Sequence, residues 1–171
     1  MKNTAIKFAL IALATTIIWT LTEHFLGFNT TKHEIGQHTR LVTPFVFYAC
    51  VVLGILSFKN HQNHNNLSWA GGLKTGALIS VIYGSLSLCW FALYAEVINP
   101  EYASTLKAYE LNKLRAANAT AAEIAERMKD VELSTGGSFL SYFFLFLFMT
   151  LFGCLIALIA TWLLRKKRKI I

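Results

Sequence analysis

Charged side chains are scarce, at 15% of the 171 residues. A soluble domain usually carries about a quarter. The 55% hydrophobic and 13% aromatic content is more apolar surface than one soluble core of this size hides. Cysteine is sparse too. Cys50, Cys89 and Cys154 each lie in a different apolar run, without metal-type spacing, and an odd number cannot all pair within one chain. They read as small apolar packing residues. Catalytic signatures are missing as well: no Gly-x-Ser-x-Gly elbow, no His-Glu-x-x-His, no phosphate-binding glycine loop and no carboxylate pair in the middle of two apolar runs. Ser80, Ser85 and Ser87 have no histidine or lysine at comparable depth to activate them. The expectation is a protein that is not an enzyme and uses no cofactor.

The formal net charge of +7 raises nucleic acid as a partner. Five of the positive charges, however, sit together in Arg165-Lys166-Lys167-Arg168-Lys169, directly after an apolar run. That is the pattern of a cytoplasmic membrane flank, and no aromatic-basic interleaving accompanies it. No nucleic-acid partner is expected; the expected partner is the lipid bilayer.

Uncharged runs are what the chain has in quantity. About 20 residues at 1.5 Å rise cross the hydrocarbon of a bilayer. Four spans are expected, at about 7–27, 41–58, 73–96 and 139–164, in a single membrane domain covering 1–171. Pro44 falls in the first turn of the second span, where a missing N–H costs least. The first run is short and must carry Glu23 and His24 towards the far interface. A cleaved signal peptide competes for it, but the small-x-small site Ala12-Leu13-Ala14 comes too early. With both termini inside, the inner flanks hold nine Lys and Arg and the outer flanks seven, and the dense tail favours that orientation.

The connection from about 99 to 137 reads as two short extramembrane helices. Asn99-Pro100-Glu101 supplies a cap, an early proline and an acid, and Tyr102, Leu106 and Tyr109 share a face. Thr120-Ala121-Ala122-Glu123 is a capping box, with Ile124, Met128 and Val131 following on one face and Glu123 four residues before Arg127. Gly136-Gly137 ends the segment.

Small residues recur every fourth position in the third span, at Gly72, Gly76, Ser80 and Gly84. Each interior glycine costs about 1 kcal/mol relative to alanine. Close helix packing in lipid is the expected compensation, since small side chains let helices touch. The last span has a matching strip at Thr150, Gly153, Ala157, Ala160 and Thr161, and the first at Ala9, Ala12, Thr16 and Thr20. The expected fold is an all-α integral membrane four-helix bundle, with a homodimer seam as the other outlet for the third-span stripe.

The run "GGLKTGALISVIYGSL", the later "EVINPEY", the helix "KLRAANATAAEIAERMKDVE" and the last span with its basic tail resemble the domain-of-unknown-function 4199 family. Lys74-Thr75-Gly76 and Asn99-Pro100 are the most telling parts. The resemblance implies four spans and a bacterial inner-membrane location, and brings no activity, cofactor or catalytic residue.

Glu23 is the most informative ionisable residue, because helical spacing puts it on the face of Ala12, Thr16 and Thr20. It is expected near His24, His38, Arg40 and Glu96, with an ion pair from Glu23 or Glu96 to Arg40. The pairs His33/His38 and His61/His64 lie on opposite sides of the membrane and are not expected to hold a metal. The leading expectation is an accessory or scaffold membrane component. It would meet a second copy or another membrane protein through the outer helical segment. The alternative is a small oligomeric transporter or channel using Glu23 and Glu96.

Overall fold

The computed structural model describes residues 1–61, 66–135 and 139–165. The helices are α1 (Lys2–Phe25), α2 (His33–Thr39), α3 (Val42–Asn60), α4 (Trp69–Leu93), α5 (Tyr102–Ala116), α6 (Ala121–Thr135) and α7 (Phe139–Leu164). A π-helical turn, Tyr94–Ile98, follows α4 directly. Among the described residues there is no strand. Four stretches are long and apolar enough to cross a membrane: Lys2–Phe25, His33–Asn60, Trp69–Ile98 and Leu140–Leu164. The fold is therefore all-α with four membrane-spanning helices, and α5 and α6 form a helical hairpin between the third and fourth. Backbone groups in hydrocarbon must bond within their own segment, which a helix achieves. The Asn-rich turn with His64, the Gly136-Gly137 stop and the tail from Lys166 lie outside the described residues.

The helix α2 is a departure from the sequence reading, which has no element there. It is only seven residues long and carries Gly36 at its centre, so no periodicity announces it. A side chain at Gly36 would collide with the Phe28 carbonyl oxygen, so the glycine lets α2 lie directly on the preceding loop.

The chain divides into two compact units. The first comprises Met1–Ile17, Val42–Ser87 and Phe146–Ile171. Its core includes Ala5, Ala9 and Ala12, with Phe47, Val51, Ile55, Ile79 and Tyr83. The two small-residue stripes meet here. A Cβ built on Gly72 would fall on Thr161, one on Gly76 against the Ala157 Cβ, and one on Gly153 against the Ser80 hydroxyl. One on Gly84 would lie 3.2 Å from Phe146 and Thr150. Numbers rise along α4 as they fall along α7, so the helices run antiparallel with their backbones close. Many carbon contacts worth about 0.1–0.2 kcal/mol each then offset the glycine penalty. Ser80 keeps its hydroxyl satisfied by donating to the Gly76 carbonyl at 2.8 Å. Beside the seam, Tyr83 is fully buried and stacks on Phe47 with centroids 4.3 Å apart. Its hydroxyl meets Thr16 Oγ1 at 3.0 Å, as a buried phenol requires. The far side of α7 exposes Phe148, Leu151, Leu155, Leu158 and Trp162, an apolar face of the kind that lipid covers.

The second unit comprises Ile18–Leu41 and Leu88–Leu145. In it α1 ends at Gly27, whose φ of 80° is left-handed. The Gly27 N–H returns to the His24 carbonyl and the Phe28 N–H to that of Glu23, a Schellman stop. The same device closes α5. Asn118 has φ 54°, with its own N–H on Arg115 O and the Ala119 N–H on Leu114 O. Thr120 then opens α6. Its N–H and hydroxyl both donate to Glu123 Oε2, at 2.7 and 2.8 Å, completing the capping box. These two bonds hold the Glu123 carboxyl below its usual pKa. Glu123 is thus committed to the cap and does not pair with Arg127. Arg127 Nε instead reaches across the hairpin to Glu110 Oε2 at 3.1 Å, where Glu110 is buried. Lys107 and Glu132 add an exposed pair at 3.4 Å.

Candidate functional site

The polar side chains of the second unit converge on the end of α1. Glu23 is 4% exposed in the last turn of that helix. The Schellman stop turns the chain there and returns Asn29, also buried, so that its Nδ2 donates to Glu23 Oε2 at 3.4 Å. From α2 the Thr39 hydroxyl donates to Glu23 Oε1. The Trp19 indole N–H donates to the Thr39 carbonyl at 3.1 Å and fixes that end of α2. Glu23 is therefore held by two neutral donors rather than by Arg40, which corrects the expected ion pair. The turn after Gly27 and the helix α2 bring hydroxyl and amide donors to the carboxylate.

Asn99 departs from its expected role as a helix cap. Its Nδ2 donates to the Asn29 carbonyl at 2.9 Å and to the Tyr94 hydroxyl at 3.1 Å, while the residue before α5 is Glu101. The π-helical turn makes this possible by returning the Asn99 N–H to the Tyr94 carbonyl at 2.7 Å. The Tyr94 hydroxyl also meets His24 Nδ1 at 3.3 Å. Glu96 sits in that turn with its side chain exposed, in a different environment from buried Glu23.

A second arm of the cluster joins α2 to α5. His33 is 3% exposed, and its Nε2 meets Thr105 Oγ1 at 3.0 Å. Its ring lies 6.2 Å from that of Tyr102 and 5.8 Å from that of Tyr109. The Arg40 guanidinium lies 5.8 Å from the Tyr102 ring centroid. Burial pushes the Tyr102 phenol above its ordinary pKa, and the Arg40 charge offsets part of that rise. His38 is exposed and within 3.3 Å of Gln37. The sequence reading singles out Glu23, Arg40 and His24 and takes Asn99 as a helix cap, but does not bring Asn29, Asn99 or Tyr94 into the cluster. Their only local signals are the turn-forming "GFNTT" and the "INP" that ends α4.

The cluster offers a fixed carboxylate acceptor, a buried imidazole and a guanidinium. Among the described residues no three His, Cys, Asp or Glu side chains are grouped as a metal ion would need. No match was found among curated proteins or solved structures. The family model described as Protein of unknown function (DUF4199) matches residues 7–166, nearly the whole chain, in agreement with the third-span stripe, the Asn99-Pro100 break and the capped α6. This membrane-spanning helical chain belongs to the DUF4199 family.

Proposed function

We propose that the protein is a non-enzymatic accessory or scaffold component of the bacterial inner membrane, with both termini in the cytoplasm and the α5–α6 hairpin on the outer side. The hairpin carries this reading. It is a built element, closed by a Schellman turn and a capping box and braced by the buried Glu110 carboxylate on Arg127. Yet α6 leaves most of its side chains exposed, Leu133 among them. A rigid, solvent-facing helix with sorted faces suits a docking surface for a membrane partner or a second copy. The dense basic tail supports the orientation.

The test is a photo-crosslinking residue placed at Glu126 or Lys129 in cells. One discrete adduct is expected, and a separate variant with residues 99–137 exchanged for a flexible linker should fail to rescue a deletion. No adduct, together with full rescue by the linker variant, refutes the reading. Cysteine labelling at Lys113 and Lys166 tests the orientation.

One observation favours the transporter or channel alternative: Glu23 is a carboxylate buried at the end of a span. Four short helices rarely enclose a path alone, so this reading requires an oligomer. Reconstituted liposomes should then show a flux that Glu23→Gln lowers. Indifference to that substitution disposes of it.

A further inference from the structure

The nine acidic residues all fall in the second unit, together with seven of the sixteen Lys and Arg. The first unit holds the other nine cations and no acid, so the formal charge of +7 divides into +9 and −2. The ion pairs Lys107–Glu132 and Arg127–Glu110 both belong to the second unit. Packing within the first unit gathers its cations at one end. A Cβ built on Gly54 would lie 3.4 Å from Phe8, the neighbour of Lys7, and one on Gly71 2.9 Å from Phe58, the neighbour of Lys59. One on Gly72 would fall on Thr161, a turn before Arg165. The starts of α1 and α4 therefore lie beside the ends of α3 and α7.

Aromatic rings mark the same end as a membrane interface. Trp69 and Trp162 are 39% and 63% exposed, and amphipathic rings of this kind sit at headgroup level. The exposed Arg165 guanidinium lies 5.0 Å from the Trp69 ring centroid. Stacking of that kind orients the cation and leaves its N–H edges for oxygen acceptors. Lys7 and Lys74 are exposed and Lys59 is half-buried, and their flexible stems let each ammonium reach the same level. Lys166-Lys167-Arg168-Lys169 continue the same sign of charge in the sequence. Like charges gathered without an acid repel one another, so their counter-charge comes from outside the unit.

We propose that this end of the first unit binds anionic phospholipid, with headgroup phosphate oxygens accepting from Arg165 on its Trp69 platform and from Lys7, Lys59 and Lys74. The bilayer presents phosphates at the level of the two tryptophans, which makes a headgroup the matching occupant. Lipids of net negative charge are selected over zwitterionic ones, whose own ammonium competes for the phosphate. The inference holds whether or not the α5–α6 hairpin is a docking surface.

The experiment reconstitutes the full chain in phosphatidylcholine vesicles. Electron spin resonance then reads how much phosphatidylglycerol and how much phosphatidylcholine, each spin-labelled on an acyl chain, is immobilised on the protein. A cation near an anionic headgroup contributes about fivefold in affinity, and averaged over the whole lipid shell a preference for phosphatidylglycerol of about twofold or more is expected. It should shrink in 1 M salt, where screening acts within about 3 Å. Combining Lys59→Gln, Lys74→Gln and Arg165→Gln should remove about half of the preference or more. Lys113→Gln with Lys129→Gln, in the second unit, should leave it unchanged. Equal immobilisation of the two lipids overturns the proposal. So does a preference that salt leaves intact, or one that the second-unit substitutions lower as much as the triple variant does. The salt criterion is read on the native chain and stands even where the triple variant fails to fold.

Discussion

Replacing Gly76 by alanine separates the two contributions that a glycine makes to a helix. Alanine is the better helix former by about 1 kcal/mol, so a glycine that merely tolerates its site gains stability from the change. At Gly76 the added methyl lands on the Ala157 Cβ, an atom fixed to the backbone of α7 that cannot rotate away. Overpacking of that kind costs about 1–3 kcal/mol. Taking the upper part of that range and subtracting the propensity gain leaves a net loss of about 1–2 kcal/mol, a change of roughly 5- to 30-fold in the unfolding equilibrium. At Gly84 the nearest atoms are side-chain atoms of Phe146 and Thr150 at 3.2 Å, which can yield by small torsional shifts. Gly84→Ala should therefore be neutral or mildly stabilising. The assay is reversible unfolding in mixed micelles, with Ala157→Gly added as the rescuing partner in a double-mutant cycle. Equal effects at Gly76 and Gly84, or no rescue by Ala157→Gly, would refute the close approach of α4 and α7.

Three further outcomes follow from the second unit. Thr120→Ala removes the hydroxyl bond and keeps the backbone N–H bond, so it should raise the Glu123 carboxyl pKa part of the way towards its ordinary value, measured by carboxyl NMR of the intact protein. In the native chain that pKa lies below the unfolded value, so the cap's stabilisation is present above the unfolded pKa and is lost as pH falls through the folded one. Arg127→Met leaves the buried Glu110 carboxylate without its donor and should cost about 1–3 kcal/mol, seen as faster amide exchange through α5 and α6. Breaking the exposed Lys107–Glu132 pair should cost no more than about 1 kcal/mol, and equal effects would refute the distinction. Gly36→Ala should lift α2 from the Phe28 carbonyl and move the Trp19 indole resonance, because that N–H is bonded to Thr39; an unmoved signal counts against the contact.

The spans were legible because lipid imposes one demand, uninterrupted apolar length, that any single stretch must meet alone. The glycine stripe was legible for a related reason: its period belongs to one helix. What one helix cannot state is which atom lies opposite. Nothing near Gly76 names Ala157, although both stripes are visible. Asn99 illustrates the same limit. Locally it has the chemistry of a cap, and its tertiary partners Asn29 and Tyr94 outbid that role. Arg127 has an acid four residues before it, yet the capping box had already engaged Glu123, so the pairing went to Glu110. Around Glu23, the sequence identified the right residue and the wrong partner. One true donor, Asn29, arrives on the turn after Gly27, and the other, Thr39, on a seven-residue helix that packs on the preceding loop through one glycine against one carbonyl.

The seam between α4 and α7 has one inverted rung. At Gly72 and Gly76 the larger group belongs to α7, whereas at Ser80 it belongs to α4 and faces Gly153. Sliding one helix by a turn, about 5.4 Å, would set Ser80 against Ala157 or Thr150 and bring two β-carbons into the same space. A ladder of evenly spaced glycines alone would tolerate such a slip, so that single exchange of sizes writes the vertical alignment of two apolar rods into the sequence.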